Sequence, residues 1–195
     1  YIPNPSDYSF ETLNNFKKSC SVDVFFALSH GVHRGKLKSG KEDDRIIFLE
    51  KLQARTSNVK FDLYGINNIQ PIWADHYFKT IANAKMGLNL SRGDAIKYYS
   101  SDRITQIVGN GLVCLIDEKT QYRDFFNDKE MVFYKNINDL SEKILKVSKD
   151  EKLRRQIAKN GKKKYMKYFN STNVAEFIIN KTLGINSKKR YLWHG

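Results

Sequence analysis

The sequence predicts an α/β protein built on a Rossmann-like parallel sheet that is flanked by helices and followed by a helical C-terminus. Short apolar runs rich in β-branched and aromatic residues alternate with segments of helical periodicity. The connections between them are short, which implies parallel strands joined by right-handed crossovers with helices on both faces. From residue 137 onward only helical periodicity is left. In such a sheet, ligands bind beyond the carboxyl ends of the strands.

Five apolar runs predict the strands of this sheet. Each run is short and is followed closely by Gly, Ser, Asp or Lys, as is typical of strands buried in a parallel sheet. The runs are Val22–Leu28, Val59–Tyr64, Met86–Leu90, Leu112–Ile116 and Met131–Tyr134.

Three helices are predicted between the strands and three after them. The first follows an acidic start at residues 42–44, which favours a helix N-terminus. The third has cap candidates in the Ser-Ser-Asp run at residues 100–102 and ends at the Gly-Asn-Gly run at residues 109–111. Their apolar faces comprise Ile46, Ile47, Leu49 and Leu52; Tyr77, Phe78, Ile81 and Ala82; and Ile104, Ile107 and Val108. The C-terminal helices are predicted at Ile137–Ser148, Asp150–Tyr168 and Ser171–Leu183.

The composition excludes several classes of protein. With 41% hydrophobic and 13% aromatic residues, the chain can bury a core, which a disordered polyelectrolyte cannot do. Cys20 and Cys114 match no metal-binding spacing, so we expect buried free thiols and a reducing compartment. No stretch approaches the roughly 18 apolar residues of a membrane span, and no leader is evident. We therefore expect a soluble, cytoplasmic protein.

The net charge of +13 is unevenly distributed along the 195 residues. Residues 1–150 carry 22 Lys and Arg against 19 Asp and Glu, or +3, whereas residues 151–195 carry 12 against 2, or +10. The excess therefore lies in the terminal helices and tail. Two interpretations stay open for this basic end: peripheral contact with an anionic membrane at its inner face, or a solvated surface that keeps the protein soluble.

The loop after the first predicted strand has the composition of an anion site. Residues 29–38 read SHGVHRGKLK, in which Gly31 allows a tight turn while Arg34 and Lys36 supply positive charge. The run matches neither the Walker A pattern nor GxGxxG. A phosphate or diphosphate site and a solvated basic loop are equally consistent with it. His30 lacks further ligands at metal-binding spacing, and no catalytic triad can be identified around it.

A second candidate loop follows the predicted strand at residues 86–90. Residues 91–103 read SRGDAIKYYSSDR, so that Ser100 and Ser101 could donate to phosphate oxygens and Arg103 would add charge. Both basic loops follow strands at their carboxyl ends, which favours a joint anion site over either alone. Tyr98, Tyr99 and Trp73 could stack on a base, although packing in the core or at its rim is the expected role for any one of them.

Seven motifs occur in a recognisable order between residues 81 and 179. They are Leu88-Asn89-Leu90, Ser101-Asp102-Arg103-Ile104-Thr105-Gln106, Gly109-Asn110-Gly111, Leu112–Ile116, Tyr122–Phe126, Asp139-Leu140-Ser141-Glu142-Lys143-Ile144 and Arg154-Arg155-Gln156-Ile157-Ala158-Lys159-Asn160-Gly161. This ordered set resembles the donor-binding C-terminal domain of GT-B glycosyltransferases, in particular the CgeB-like branch of the group 1 glycosyltransferases. The predicted sheet would then be one half of a GT-B fold.

The resemblance implies a nucleotide sugar donor, UDP- or GDP-linked, and its transfer to a saccharide or glycolipid acceptor in cell-surface polysaccharide synthesis. It implies no metal and no other cofactor, so fixed positive charge would stabilise the diphosphate leaving group. The predicted diphosphate ligands are His30, Gly31, Arg34, Lys36, Ser100, Ser101 and Arg103. The predicted nucleoside ligands are Gly65, Tyr98, Tyr99 and Gln106. No catalytic residue is predicted.

Two departures from the family pattern affect these expectations. The glutamate that holds the ribose hydroxyls in the family corresponds to Gln106, which can accept a hydrogen bond but carries no charge. GT-B enzymes also have two Rossmann-like domains, and only one is predicted here. We therefore expect residues 1–20 to form an interdomain linker and a leading helix, 21–184 the nucleotide-sugar-binding domain, and 185–195 a basic tail. Turnover would need an N-terminal domain.

Two alternatives to a transferase domain stay open at this stage. The charge and aromatic content are also consistent with a basic nucleic-acid-binding α/β module, although no RNP-like, KH-like or helix-turn-helix signature is present. A stand-alone nucleotide-binding module without catalysis is the other. Because the sheet region carries only +3 in residues 1–150, nucleic acid is not the expected partner.

Overall fold

The computed structural model describes residues 1–28, 43–99 and 101–194, which form a five-stranded parallel sheet with helices on both faces. All five predicted strands are confirmed, with bounds that differ by one or two residues. They are β1 (Val22–Ala27), β2 (Phe61–Tyr64), β3 (Ala84–Asn89), β4 (Val113–Asp117) and β5 (Val132–Tyr134). Every pairing between neighbours is parallel. The predicted fold class is therefore confirmed.

The six predicted helices are also present in the described part of the chain. They are α1 (Asp44–Arg55), α2 (Ala74–Ile81), α3 (Arg103–Gly109), α4 (Ile137–Lys149), α5 (Glu151–Tyr168) and α6 (Ser171–Thr182). Four begin at a side chain that accepts hydrogen bonds from the first turn: Asp43, Asn136, Asp150 and Asn170. The predicted cap of α3 differs, because the Asp102 side chain makes no such bond.

Two hydrophobic cores lie on opposite faces of the sheet, because successive strand residues point to opposite sides. On one face, Phe26, Met86 and Leu115 pack with Leu49 of α1 and Leu140 of α4. On the other face, strand residues of β1, β4 and β5 pack with residues of α2, α3, α5 and α6. The strand residues are Phe25, Cys114 and Phe133, and the helix residues are Ile81, Ile104, Ile107, Tyr165 and Phe177. The sheet is thus covered on both sides, as the near-continuous apolar strands require.

The order of the strands across the sheet is β2-β1-β3-β4-β5, so its direction reverses between β1 and β3. The chain moves one way from β1 to β2 and the other way from β3 onward. At such a switch point the two loops that leave the carboxyl ends part from each other and open a crevice. The ends of β1 at Ala27 and of β3 at Asn89 therefore flank the position where a ligand is expected.

Both terminal segments pack against the sheet domain. Within residues 1–20, where a leading helix is expected, the structure has a 3-10 turn at Asn15–Lys17, and the Asn15 side chain is buried. Its Nδ2 atom donates to the carbonyl oxygens of Ile81 and Ala84, each at 2.8 Å. At the other end, Trp193 is only 6% exposed. The basic tail is therefore anchored by its own aromatic residues. Cys20 and Cys114 are buried free cysteines, as predicted.

Replacing Gly161 by alanine is expected to destabilise the protein although alanine favours helices. A Cβ atom at this position of α5 would lie 2.3 Å from the Glu130 carbonyl oxygen, and a backbone atom cannot rotate away. We expect the loss from overpacking, about 1–3 kcal/mol, to exceed the helix-propensity gain of about 1 kcal/mol. Thermal unfolding measures the difference. The matched variant Lys163→Ala, on the exposed side of α5, should change stability little; an unchanged or higher melting temperature for Gly161→Ala would contradict the close contact.

Candidate functional site

A cavity of about 240 Å³ opens at the carboxyl edge of the sheet, beside the switch point. Its walls come from the end of β1, the segment before α2, α2 itself and the start of α3. The lining residues are Ala27, Leu28, Ile72, Trp73, Ala74, Tyr77, Phe78, Asp102, Arg103 and Gln106. One wall is therefore apolar and aromatic, whereas the opposite wall, on α3, carries a carboxylate, a guanidinium and an amide. This division suits a ligand that has a flat apolar part and a polar or anionic part.

Arg103 is the fixed cation of this cavity. Its Nη1 atom donates to the carbonyl oxygen of Leu90 at 3.1 Å, and its guanidinium carbon lies 5.0 Å from the centroid of the Phe26 ring. Burial lowers the pKa of the Arg103 guanidinium below its ordinary value, and the charge of Arg45 lowers it further, yet arginine stays protonated in proteins. Arg103 forms no ion pair with any described residue. A half-buried positive charge that no described carboxylate pairs with is thus held at the wall of the cavity.

Several buried polar side chains at the same edge have no hydrogen-bond partner within the described part of the chain. They are the hydroxyls of Tyr77, Ser101 and Tyr134 and both amide atoms of Asn89. Asn89 and Tyr134 are the last residues of β3 and β5. A buried polar group without a partner costs about 1–3 kcal/mol, and in native proteins such groups usually meet a ligand, an ion or a water. Their concentration at the carboxyl edge marks it as a binding surface.

A second cavity of about 450 Å³ lies at this edge, on the side of α1 and α4. Its lining includes Asp44, Ser91, Asp117 and the partnerless Tyr134, together with Leu90. Because Arg103 lines the first cavity and bonds to the carbonyl of Leu90, the Arg103 side chain connects the two cavities.

The structure brings three of the residues predicted from the sequence to this crevice. Arg103 and Gln106 line the first cavity, one turn apart on α3. Ser101 lies just before α3 with its hydroxyl buried. Five other predicted diphosphate ligands lie outside the described residues, and their roles stay predictions: His30, Gly31, Arg34, Lys36 and Ser100.

None of the three remaining predicted nucleoside ligands lines the first cavity with Gln106. Tyr98 and Tyr99 line a different cavity, of about 400 Å³, together with Tyr1. There the Tyr98 ring packs on Phe125, with 4.7 Å between centroids. Gly65 adopts the left-handed φ of +78° and a Cβ there would meet the Leu28 carbonyl oxygen at 2.2 Å, so its place in the fold is explained by a tight turn.

The apolar wall of the first cavity comes from residues that the sequence interpretation assigned elsewhere. Tyr77 and Phe78 are predicted on the apolar face of α2, and Tyr77 does pack against Phe25 of the core, but both side chains also line the cavity. In the structure Trp73 is 59% exposed at the cavity. A signal was available, because the loop between β2 and α2 also leaves the carboxyl end of a strand.

Comparison with known proteins gives both a sequence match and a structural match. Residues 45–180 match the sequence profile of the family described as Glycosyl transferase-like. A comparison with curated proteins finds no match. Among solved structures, TarM superposes with a TM-score of 0.64 at 15% identity over 92% of this chain. An α1,3-fucosyltransferase with GDP-fucose gives 0.57 at 11% over 95%, and Anabaena HepE in complex with UDP gives 0.54 at 12% over 86%.

This chain spans 38% of the TarM chain, 52% of the fucosyltransferase and 41% of HepE. At these identities the superpositions establish the fold, which is that of the Rossmann-like half of GT-B glycosyltransferases. The CgeB-like branch stays a prediction. The family profile covers more than two thirds of the sequence, including the whole of the sheet from β2 to β5 and the α3 wall of the cavity. The chain therefore belongs to the glycosyl transferase-like family.

Proposed function

We propose that this chain binds the nucleoside-diphosphate-linked sugar donor of a glycosyltransferase in the crevice between α2 and α3. The single observation that carries the proposal is the position of Arg103. It supplies a half-buried guanidinium without a carboxylate partner among the described residues, at the switch point of the sheet. The chain itself belongs to the glycosyl transferase-like family. A diphosphate is the anion that such a donor presents.

The nucleoside would occupy the first cavity. Ile72 and Trp73 offer an apolar and aromatic wall for the base, and the Tyr77 hydroxyl, which is buried without a hydrogen-bond partner among the described residues, offers a hydrogen bond. Gln106 on the opposite wall would face the ribose hydroxyls. Its amide has both donors and an acceptor for them, in place of the family's glutamate. The structure therefore supports a nucleoside site different in part from the one predicted from the sequence.

The diphosphate would lie against Arg103, between the two cavities, with the sugar directed toward the second cavity. In transfer, an acceptor hydroxyl loses its proton to a base and its oxygen becomes bonded to the anomeric carbon, while the bond between that carbon and the β-phosphate oxygen breaks and negative charge develops on the phosphate oxygen. A guanidinium already fixed by Leu90 stabilises this charge without reorganising. Arg34 and Lys36 stay candidates for further positive charge.

The transfer reaction itself is proposed for a protein in which this chain works with an acceptor-binding domain. The acceptor class we propose is a saccharide or glycolipid, consistent with a role in cell-surface polysaccharide synthesis. Both nucleotides remain candidates, because solved structures of similar fold contain UDP in one case and GDP-fucose in another.

Calorimetric titration of the chain with UDP, GDP and their sugar conjugates tests the proposal. We expect one nucleotide to bind with 1:1 stoichiometry, and saturation at about 100 times its dissociation constant to add about 2.7 kcal/mol of apparent stability. Trp73→Ala should weaken binding, whereas the matched variant Tyr8→Ala, at an exposed position that lines neither cavity of this edge, should not. The absence of binding to every nucleotide, together with salt-sensitive binding to RNA, would favour the nucleic-acid alternative instead.

Tyr77→Phe is expected to separate the ligand-binding role of this tyrosine from its packing role. Since the hydroxyl is buried and has no hydrogen-bond partner among the described residues, its removal should leave the unliganded protein equally stable or about 1 kcal/mol more stable. Nucleotide affinity should fall by about threefold to tenfold, the value of one hydrogen bond. Chemical denaturation and calorimetry measure the two effects. A variant that loses stability but keeps full affinity would show that the hydroxyl serves the fold.

A further inference from the structure

The C-terminal end of the chain presents an unusual concentration of exposed aliphatic side chains. Nine isoleucine and leucine side chains are exposed in the described residues, and five of them lie between residues 178 and 192. We call these five the C-terminal apolar patch: Ile178, Ile179, Leu183, Ile185 and Leu192. Leu183 is the most exposed, at 68%. Ile179 and Leu183 are four residues apart, at the end of α6, and so project to the same side.

This patch is carried by folded structure. The Trp193 ring lies 5.3 Å from Phe169 and 5.9 Å from Phe177, and Tyr191 meets Phe177 edge-on at 5.0 Å. Lys189 forms an ion pair with Glu176 of α6. These contacts fold residues 185–194 back onto α6 and the core. The exposed aliphatic side chains are therefore held outward by a scaffold whose own aromatic residues are buried.

Positive charge surrounds a cavity next to the patch. The cavity measures about 260 Å³, and its lining combines one aliphatic residue of the patch with four basic residues: Ile185, Lys181, Lys189, Arg190 and His194. Lys189 shares its charge with Glu176, but Lys181 and Arg190 form no ion pair with a described residue. Over residues 171–194 the chain has four Lys and Arg and one acidic residue, or +3. This cavity suits an anionic group of phosphate size.

Aliphatic side chains beside cations are the combination that peripheral proteins use at a membrane interface. The cations meet anionic headgroups while the aliphatic side chains enter the boundary of the acyl chains. Among the described residues, no helix has the length and apolar character of a membrane span. The cavity and the patch adjoin through Ile185, which belongs to both.

We propose that the C-terminal apolar patch docks on an anionic phospholipid membrane, with a lipid phosphate in the adjoining cavity. The cations of the cavity select anionic headgroups, and the side chains of Ile179, Leu183 and Ile185 enter the boundary of the acyl chains. The surface is separate from the crevice between α2 and α3, so the docking does not depend on donor binding. It would hold the donor site near acceptors that are attached to lipid.

Sedimentation with vesicles tests this docking on the full 195-residue chain. We expect binding to phosphatidylcholine vesicles that contain about one third phosphatidylglycerol, and little binding to pure phosphatidylcholine. Lys181→Gln with Arg190→Gln should weaken binding by about 25-fold at low salt, at about fivefold per cation. The matched pair Lys60→Gln with Lys129→Gln removes the same charge from exposed positions elsewhere and should have little effect.

The apolar contribution is tested by Ile179→Gln with Leu183→Gln, which keeps every charge. Both side chains are exposed, so the fold should survive, and we expect vesicle binding to fall by tenfold or more. Unchanged vesicle binding of this variant would mean that nonspecific charge attraction alone holds the protein on the membrane, and it would overturn the proposal. Equal loss in the two charge-pair variants would do the same. So would RNA binding that matches vesicle binding in affinity and ignores the apolar substitutions. Nucleotide titration of the same variants should be normal, which keeps this test independent of the donor site.

Discussion

Arg103→Ala is expected to weaken nucleoside diphosphate binding by about 10- to 100-fold, the value of a hydrogen bond to a charged group of about 1.5–3 kcal/mol. The side chain is already held by the Leu90 carbonyl and the Phe26 ring, so little entropy is lost when the phosphates bind. Calorimetry with the diphosphate and with the free nucleoside measures the effect. The diphosphate should lose far more affinity than the free nucleoside, because the phosphates carry the negative charge that the guanidinium would bind.

The control for this variant is Arg55→Ala. Arg55 is the last residue of α1, and among the described residues its side chain bonds to Asn138 and to the Lys51 carbonyl of its own helix. The Arg55→Ala variant therefore removes one positive charge far from the crevice. Its nucleotide affinity should equal that of the parent protein. If Arg103→Ala kept full affinity for the diphosphate, or if Arg55→Ala lost as much, the assignment of the diphosphate to α3 would be wrong while the fold would stand.

Arg154→Met is expected to produce the largest loss of stability, about 3–5 kcal/mol. Arg154 is completely buried, and its guanidinium donates to the backbone carbonyls of Asn15 and Lys18 at 2.9 Å each and to the Glu151 carboxylate. Methionine fills the space but donates to neither carbonyl, so that among the described residues Asn15 keeps only long bonds from the Lys18 amide and the Cys20 thiol, and Lys18 keeps only one from the Cys20 thiol. At about 2–4 °C per kcal/mol for a chain of this size, the melting temperature should fall by roughly 10 °C.

The neighbouring Arg155 provides a matched comparison. It contacts the same carboxylate of Glu151 at 2.9 Å, but from a partly exposed position. Exposed ion pairs contribute at most about 1 kcal/mol, so Arg155→Met should shift the melting temperature by only a few degrees. Equal shifts in the two variants would mean that the backbone carbonyls of residues 15 and 18 do not depend on Arg154.

Arg154 also gives a structural role to the motif from Arg154 to Gly161, the last of the seven motifs that resemble the GT-B donor domain. In the run from Arg154 to Gly161, the arginine ties α5 to the N-terminal segment, Ile157 and Ala158 are buried, and Gly161 touches the Glu130 carbonyl. These roles are structural. The motif therefore identified the fold without indicating any residue of the donor site.

The strands and helices could be predicted because their signals are local. Apolar runs of β-branched residues and helical spacing depend only on neighbours in the sequence, as β4 and α4 illustrate. The crevice could be predicted in part for the same reason. Arg103 and Gln106 share a helix that follows a strand, and the resemblance placed both at the ligand.

The nucleoside wall could be predicted only in part, because the local pattern shows that the loop after β2 leaves the carboxyl end of a strand but not which other loops it meets. Which loops meet at a crevice is decided by the order of strands across the sheet, here β2-β1-β3 at the switch point. Tyr98 follows β3, but it adopts φ of +58° and donates its amide to the Thr120 carbonyl at 2.8 Å. Its ring consequently packs toward Tyr1 and Phe125. Trp73, more distant in sequence from Gln106, lines the same cavity because α2 returns beside α3.

The crystal structure of this chain with the nucleoside diphosphate that titration selects is the most direct test of the donor site. We expect the base to lie against Ile72 and Trp73, the ribose to lie beside Gln106, and a phosphate oxygen to lie within about 3 Å of the Arg103 guanidinium. A nucleotide bound instead against Tyr98 and Tyr99, or an empty crevice at saturating nucleotide, would contradict it.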